Sequence, residues 1–212
     1  MAMSLEPQSR AQRKLIAAAR TSAAHLPPTL PPAWFLTDPA RTPDPAAIAR
    51  ALPAGFGVIY RHFGAADRES VALTLAGICA HRGLAFLVAA DPELAAEMGA
   101  NGVHWPFKLR SEARRWQTRF AVQTVSAHSG RELRAAAGLP VDAALVSAVF
   151  ASQSRSAGAP LGSLRFRNLV KGAGLPVYAL GGITPENAGA IAGMAGFAAV
   201  DGMAAFGPQI RT

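Results

Sequence analysis

Short apolar runs of strand character recur along this chain and alternate with alanine-rich stretches of helical period. The runs that read as strands cover 33–37, 57–61, 84–88, 102–105, 120–125, 143–147, 177–180 and 197–200. Helical spacing is predicted near 45–52, 66–82, 92–98, 110–117, 130–137, 163–172, 185–193 and 203–207. The strands are apolar at both alternations, as in Leu84-Ala85-Phe86-Leu87-Val88, the pattern of strands covered on both faces. Strands with helices between them make parallel units, because a parallel return needs a long crossover. Eight such units without a domain-scale linker predict an α/β chain folded as a single (β/α)8 TIM barrel. A doubly wound open sheet is the alternative, and the count of eight favours the barrel.

Residues 31–212 are assigned to that barrel and residues 1–30 to an N-terminal extension. The stretch Arg10 to His25 is basic, alanine-rich and short of acidic residues, which superficially resembles an organelle transit peptide. The preferred reading is an extra helix that stops at Pro27-Pro28.

Composition narrows the partners. Of 212 residues, half are hydrophobic and 16% are charged, a globular balance. No apolar run reaches the ~18 to 20 residues of a membrane span, so no membrane partner is expected. Net charge is +8, which attracts anions. Lys108, Arg110, Arg114, Arg115 and Arg119 come nearest to a patch, but their spacing is that of a solvated helix face. No aromatic residues interleave with basic ones as on a base-stacking platform. A small phosphorylated ligand is therefore preferred to nucleic acid. The single Cys79 fits a reducing, cytoplasmic setting and reads as core.

In a barrel, ligand-facing groups sit at the C-terminal strand ends and in the loops beyond them. That places Thr37, Asp38, Arg61, His62, Asp91, His104, Ser126, His128, Ser152, Ser154, Arg155, Gly181, Gly182, Asp201 and Gly202 at the rim. The sharpest local pattern is Leu180-Gly181-Gly182-Ile183-Thr184-Pro185-Glu186-Asn187. It reads as a strand meeting a glycine turn and a helix capped by Thr184, an arrangement suited to an anion. Ser152-Gln153-Ser154-Arg155 combines hydroxyls with a guanidinium, which suits phosphate oxygens. Ser126-Ala127-His128-Ser129 puts a histidine where a strand hands over to a helix, with Ser129 as the cap.

The segments "GANGVHW", "TVSAHSGREL", "SAVFASQSRSAGAPLG", "YALGGITPENA" and "GFAAVDGM" occur in that order. Together they resemble the thiamine-phosphate synthase and thiazole tautomerase (TenI-like) family over residues 33 to 206. The resemblance implies the same barrel and one of two chemistries. The tautomerase aromatises a thiazole carboxylate phosphate by proton transfer and needs no metal; its base would be His128. The synthase joins a pyrimidine diphosphate to a thiazole phosphate with Mg2+. In either case the resemblance implies a phosphorylated small-molecule ligand. The phosphate would rest on Gly182, on Val200-Asp201-Gly202, and against Ser152, Ser154 and Arg155. Arg61, His104, Ser126 and Gly181 complete the expected ligand-facing set. A homodimer is left open.

The chain departs from the synthase pattern. Its Gln-x-Arg-x-Lys segment reads Ile59-Tyr60-Arg61-His62-Phe63, keeping the arginine alone, and its Asn-Asp pair reads Ala89-Ala90. Trp105-Pro106-Phe107-Lys108-Leu109 carries no acidic residue where the family has one. Magnesium needs hard oxygen ligands, so the tautomerase is favoured, with the synthase and a non-catalytic ligand-binding barrel as alternatives. Asp201 stands where the family has a small neutral residue, and would repel a phosphate unless it points away or pairs with Arg155 or Arg61. Trp105, near the mouth, is a candidate to stack on a flat ring, and His62, His104 and His128 are a remote candidate zinc set.

Overall fold

The computed structural model describes residues 8–154 and 158–208. Its strands are β1 Ala33–Leu36, β2 Gly57–Tyr60, β3 Ala85–Ala89, β4 Gly102–Trp105, β5 Val122–Ala127, β6 Ala143–Val146, β7 Val177–Ala179 and β8 Gly196–Ala199. All pair in parallel in sequence order, and β1 pairs with β8 through Ala33 and Phe197, closing the barrel. The helices are α1 Arg10–Ala23, α2 Pro45–Ala51, α3 Arg68–Arg82, α4 Pro92–Glu97, α5 Gly130–Ala137, α6 Gly162–Lys171 and α7 Gly189–Ala192. Two 3-10 segments, Phe107–Arg114 and Asp201–Phe206, follow β4 and β8.

Alternation along each strand divides the core. Trp34, Leu36, Ile59, Leu87, Leu145 and Tyr178 pack together inside the barrel. Phe35, Val58, Tyr60, Val88, Trp105, Val146 and Phe197 join the layer beneath the helices. Gly57 and Gly196 make room inside: a Cβ there would lie 2.2 Å from the Trp34 ring or 2.3 Å from the Tyr178 ring. Those rings meet edge to face at 6.2 Å, and Tyr178 Oη donates to the Pro31 carbonyl at 2.7 Å, tying the proline joint to the barrel floor.

Local sequence starts the helices where expected. Asp44 and Asp91 cap α2 and α4, each followed by proline at the first position. Ser129 caps α5. Helix α1 begins in a capping box, with Ser9 and Gln12 bonded to each other's backbone. Its stripe of Leu15, Ala18, Ala19 and Ser22 is buried, and it packs beside α7, β8 and the final 3-10 segment. It therefore covers the flank of β8, after which the described residues form a 3-10 segment in place of an α-helix.

Several expected boundaries shift. β5 starts at Val122 because the Ala121 and Val122 amides both bond the Asn101 carbonyl, ending the preceding turn there. The helices expected at 110–117 and 203–207 are 3-10 turns that begin earlier. The helix expected over 185–193 shrinks to α7. Thr184 is not its cap: Thr184 Oγ1 accepts from the Glu186 amide, and the Asn187 side chain bonds the Thr184 amide and the Gly182 carbonyl. Those bonds hold 185–188 as turns.

Candidate functional site

The glycine turn after β7 is shaped by contact with the loop after β6. Gly181 and Gly182 have φ of +91° and +64°, a region that favours glycine. A Cβ on Gly182 would lie 2.2 Å from the Ala151 carbonyl oxygen. The Val149 and Phe150 amides bond the Leu180 and Gly181 carbonyls, and Asn187 takes the Gly182 carbonyl. The turn's carbonyls are thereby occupied. The amides of Gly182 and Ile183 bond no other backbone group among the described residues. The turn after β8 presses in from the side, since a Cβ on Gly202 would sit 2.5 Å from the Ile183 carbonyl oxygen. Between the two turns lies a hollow of about 60 Å³, with Gly181, Gly182, Ile183, Val200, Asp201 and Arg41 on its walls.

Arg41 also borders a larger cavity of about 590 Å³, together with Thr37, Asp38, Arg61, Phe63, Gln153 and Ser154. Four charges meet there. Arg41 Nε and Nη2 donate to Asp38 Oδ2 at 3.1 and 2.9 Å, and Nη1 donates to Asp201 Oδ2 at 3.0 Å. Burial works to raise the Asp38 carboxyl, but the hydrogen bonds and charge of Arg41 outweigh it and hold it below the ordinary value. Arg61 Nε donates to the Thr37 carbonyl at 3.1 Å, and Nη2 lies 3.6 Å from Asp38. Burial pulls the Arg61 guanidinium below its ordinary value, partly offset by Asp38. Of the expected partners of Asp201, Arg61 is not the one it takes, and Arg155 is not among the described residues. Asp201 pairs with Arg41, because the loop after β1 brings that residue across to the β8 turn.

The remaining expected residues fall elsewhere. His104 is buried in the barrel, with Nδ1 2.9 Å from Thr124 Oγ1 and Nε2 2.9 Å from Ser126 Oγ. Burial, aided by the Arg61 charge, lowers its pKa to about 3, so the ring is neutral near pH 7 and Ser126 serves as its partner. His62 is buried against the Tyr60 ring at 4.9 Å, its Nε2 without a partner among the described residues. Burial lowers its pKa despite nearby Asp67 and Asp38. Trp105 is too deep to stack on a ligand: it is buried, and Nε1 donates to Gln123 Oε1 at 2.9 Å. Ser154 lines the larger cavity and its amide donates to Ser152 Oγ at 3.3 Å. Arg155 lies outside the described residues.

His128 stands exposed on the same rim, at the start of α5. Its amide donates to Glu132 Oε2 at 2.7 Å, and its ring Nδ1 meets the Ser147 carbonyl and hydroxyl. It borders neither the hollow nor the cavity at Arg41.

The residues at the end of β3 do not fit a magnesium site of the synthase kind. Alanines occupy positions 89 and 90. The Asp91 carboxylate is committed: Oδ1 accepts from the Leu94 amide at 2.9 Å, and Oδ2 is ion-paired with Arg68. Burial would raise its pKa, but the Arg68 hydrogen bond prevails and lowers it. No cluster of three or more acidic, histidine or cysteine side chains able to hold a metal occurs among the described residues. The three histidines do not converge into a zinc set either, since both ring nitrogens of His104 are engaged inside the barrel.

Sequence reading passes over Arg41, Thr124 and Ser147. Arg41 could have been found from its spacing: in Asp38-Pro39-Ala40-Arg41 a turn-forming aspartate stands three residues before an arginine, as in the observed pair. Ser147 and Thr124 carry no such signal, because each matters only through a neighbouring strand.

The family model described as thiamine monophosphate synthase matches residues 34–204. A thiamine-phosphate synthase of Marinobacter nauticus is 33% identical over 169 residues, covering 74% of this chain and 75% of that protein. One from Geobacillus thermodenitrificans is 33% identical over 129 residues, covering 59% of this chain but only 58% of its own length. Among solved structures, the thiamine phosphate pyrophosphorylase from Pyrococcus furiosus superposes with a TM-score of 0.68 at 21% identity, covering 84% of this chain and 92% of that one. FabK from Thermotoga maritima gives 0.66 at 14% identity, covering 82% and 59%. At such identities the structures speak for the barrel alone. The family match runs from the first strand to the last turn, and the Marinobacter relative spans three quarters of both chains: this chain belongs to the thiamine monophosphate synthase (TMP-TENI) family.

Proposed function

We propose that this barrel binds a phosphorylated thiazole-type heterocycle and moves a proton on it without a metal. The phosphate would lie in the hollow between the β7 and β8 turns, on the amides of Gly182 and Ile183, with the ring in the larger cavity beside Arg61 and Ser154. His128 is assigned as the base from the family resemblance. It stands on the same rim outside both spaces, so the reacting part of the ligand would have to extend past the cavity toward β5. Gly181, Val200 and Gly202 would serve as structural walls of the phosphate site. One observation carries the metal-free reading: the carboxylate next to the family's metal position, Asp91, is held by Arg68 and by the start of α4. A carboxylate spent in that way is a poor ligand for Mg2+.

A second reading is condensation of a pyrimidine diphosphate with a thiazole phosphate to give thiamine phosphate. It is favoured by the curated relatives, which are named thiamine-phosphate synthase. Purified protein incubated with each substrate set, with and without saturating Mg2+, separates the two. Metal-independent aromatisation of the thiazole carboxylate phosphate is expected. Mg2+-dependent release of diphosphate with thiamine phosphate would replace the first reading by the second. Retention of a thiazole phosphate with no turnover would leave a binding protein.

A further inference from the structure

We infer that Arg41 reads the ligand's phosphate and that Asp201 is a built-in competitor for it, displaced when a phosphate enters. This rests on the reading that the ligand is phosphorylated. Arg41 borders both the small hollow and the larger cavity. A phosphate ester spanning them would therefore pass its guanidinium.

The two carboxylates hold Arg41 unequally. Asp38 is fixed: its side chain is 25% exposed, Oδ1 accepts from the Ala40 and Arg41 amides at 3.1 Å, and Oδ2 takes two donors of the guanidinium. It orients Arg41 with Nη1 outward. Asp201 is 59% exposed, and its contact with Nη1 is its single side-chain bond among the described residues. An exposed pair of this kind contributes little. A phosphate dianion offers more charge and more acceptors, and charge-assisted bonds to a guanidinium are the strong ones. With Asp201 in place, Arg41 and Arg61 are matched by two carboxylates. Once Asp201 swings out, a positive charge is uncovered beside the hollow. The carboxylate thus sets a threshold that favours a multiply charged anion over a weak one.

Titration calorimetry with inorganic phosphate at low ionic strength tests this on the wild type, Asp201→Asn, Arg41→Gln and the double variant. Asp201→Asn should bind about fivefold tighter, and Arg41→Gln more than about tenfold weaker. In the Arg41→Gln background the gain from Asp201→Asn should vanish, because nothing remains to compete for. Unchanged or weaker binding in Asp201→Asn overturns the inference, as does an equal gain in the double variant, which would mean plain repulsion. If Arg41→Gln melts early, Arg41→Lys takes its place; it should still lose affinity severalfold, and no loss would sink the role of Arg41. Phosphate binding equally to every variant removes this inference and leaves a phosphate site elsewhere. No binding in either the wild type or Asp201→Asn removes both.

Discussion

The ring of His128 places Nδ1 3.2 Å from the Ser147 carbonyl oxygen and 3.1 Å from its hydroxyl. The carbonyl oxygen can only accept, whereas the hydroxyl can accept or donate; with Nδ1–H donating to the carbonyl, the lone pair is left on Nε2. In that tautomer Nε2 is the atom that would take the proton. His128→Ala should lower turnover by a factor on the order of 10² to 10⁴ while inorganic phosphate binds as before. Ser147→Ala keeps the carbonyl and should cost only a few-fold in rate. Wild-type turnover in His128→Ala would refute the base assignment.

Asp91 holds the fold together at α4, and its loss should show in stability separately from catalysis. Asp91→Ala removes both the α4 cap and the partner of Arg68. The loss should be about 2 kcal/mol, seen as a drop of several degrees in melting temperature. Mg2+ should not shift the melting temperature of the wild type. A magnesium-dependent rise that disappears in Asp91→Ala would identify the carboxylate as a metal ligand.

His104 and His62 make stability depend on pH in a definite direction. Both have pKa values lowered by burial, His104 to about 3. Between that value and the ordinary 6.5, the unfolded chain binds a proton that the folded one does not. Their contribution is therefore full above pH 6.5 and is lost as pH falls. For His104 the loss reaches about 2 kcal/mol at about pH 5. Asp38 and Asp91, both lowered, add to the loss only below the ordinary carboxylate range. Melting curves should fall from about pH 7 to about pH 4.5, and His104→Gln should flatten that slope. An unaltered slope in the variant would contradict the assignment.

Gly182→Ala tests the turn itself. The new Cβ meets the Ala151 carbonyl oxygen, at a φ that disfavours alanine. The two penalties together should cost about 2 to 4 kcal/mol, and phosphate binding should weaken as the amides of Gly182 and Ile183 move. Calorimetry and melting on the same sample check both. A stable variant with unchanged binding would show that this turn does not hold the anion.

What could be read from the sequence follows physical range. The eight strands were legible because apolar runs such as Leu84 to Val88 act locally, and so does the Ser129 cap of α5; the caps at Asp44 and Asp91 emerge only in the structure. The glycine turn was legible because it too is local, although the Thr184 cap was not realised, since Asn187 satisfies the backbone first. His104 looked ligand-facing because strand alternation alone does not tell how deep a position lies in the barrel. Arg41 and Asp201 are 160 residues apart in the chain, and no periodicity links positions so distant. The pairing of Asp201 with Arg41 rather than Arg61 depends on how the first loop lies over the last.

Helix α1 is made before the barrel strands but its partners, α7 and β8, come at the other end of the barrel. On an emerging chain its apolar stripe, with Leu15 at its centre, has nothing to cover until almost the whole barrel has been synthesised. The two ends of the fold therefore become stable together, and closure is a late, long-range event of the kind that slows folding. Pulse-labelled hydrogen exchange during refolding should show α1 and β8 gaining protection in the same slow phase, after β2 to β5; early protection of α1 alone would contradict this order. Leu15→Ala, by loosening that seal, should hasten unfolding more than it slows folding.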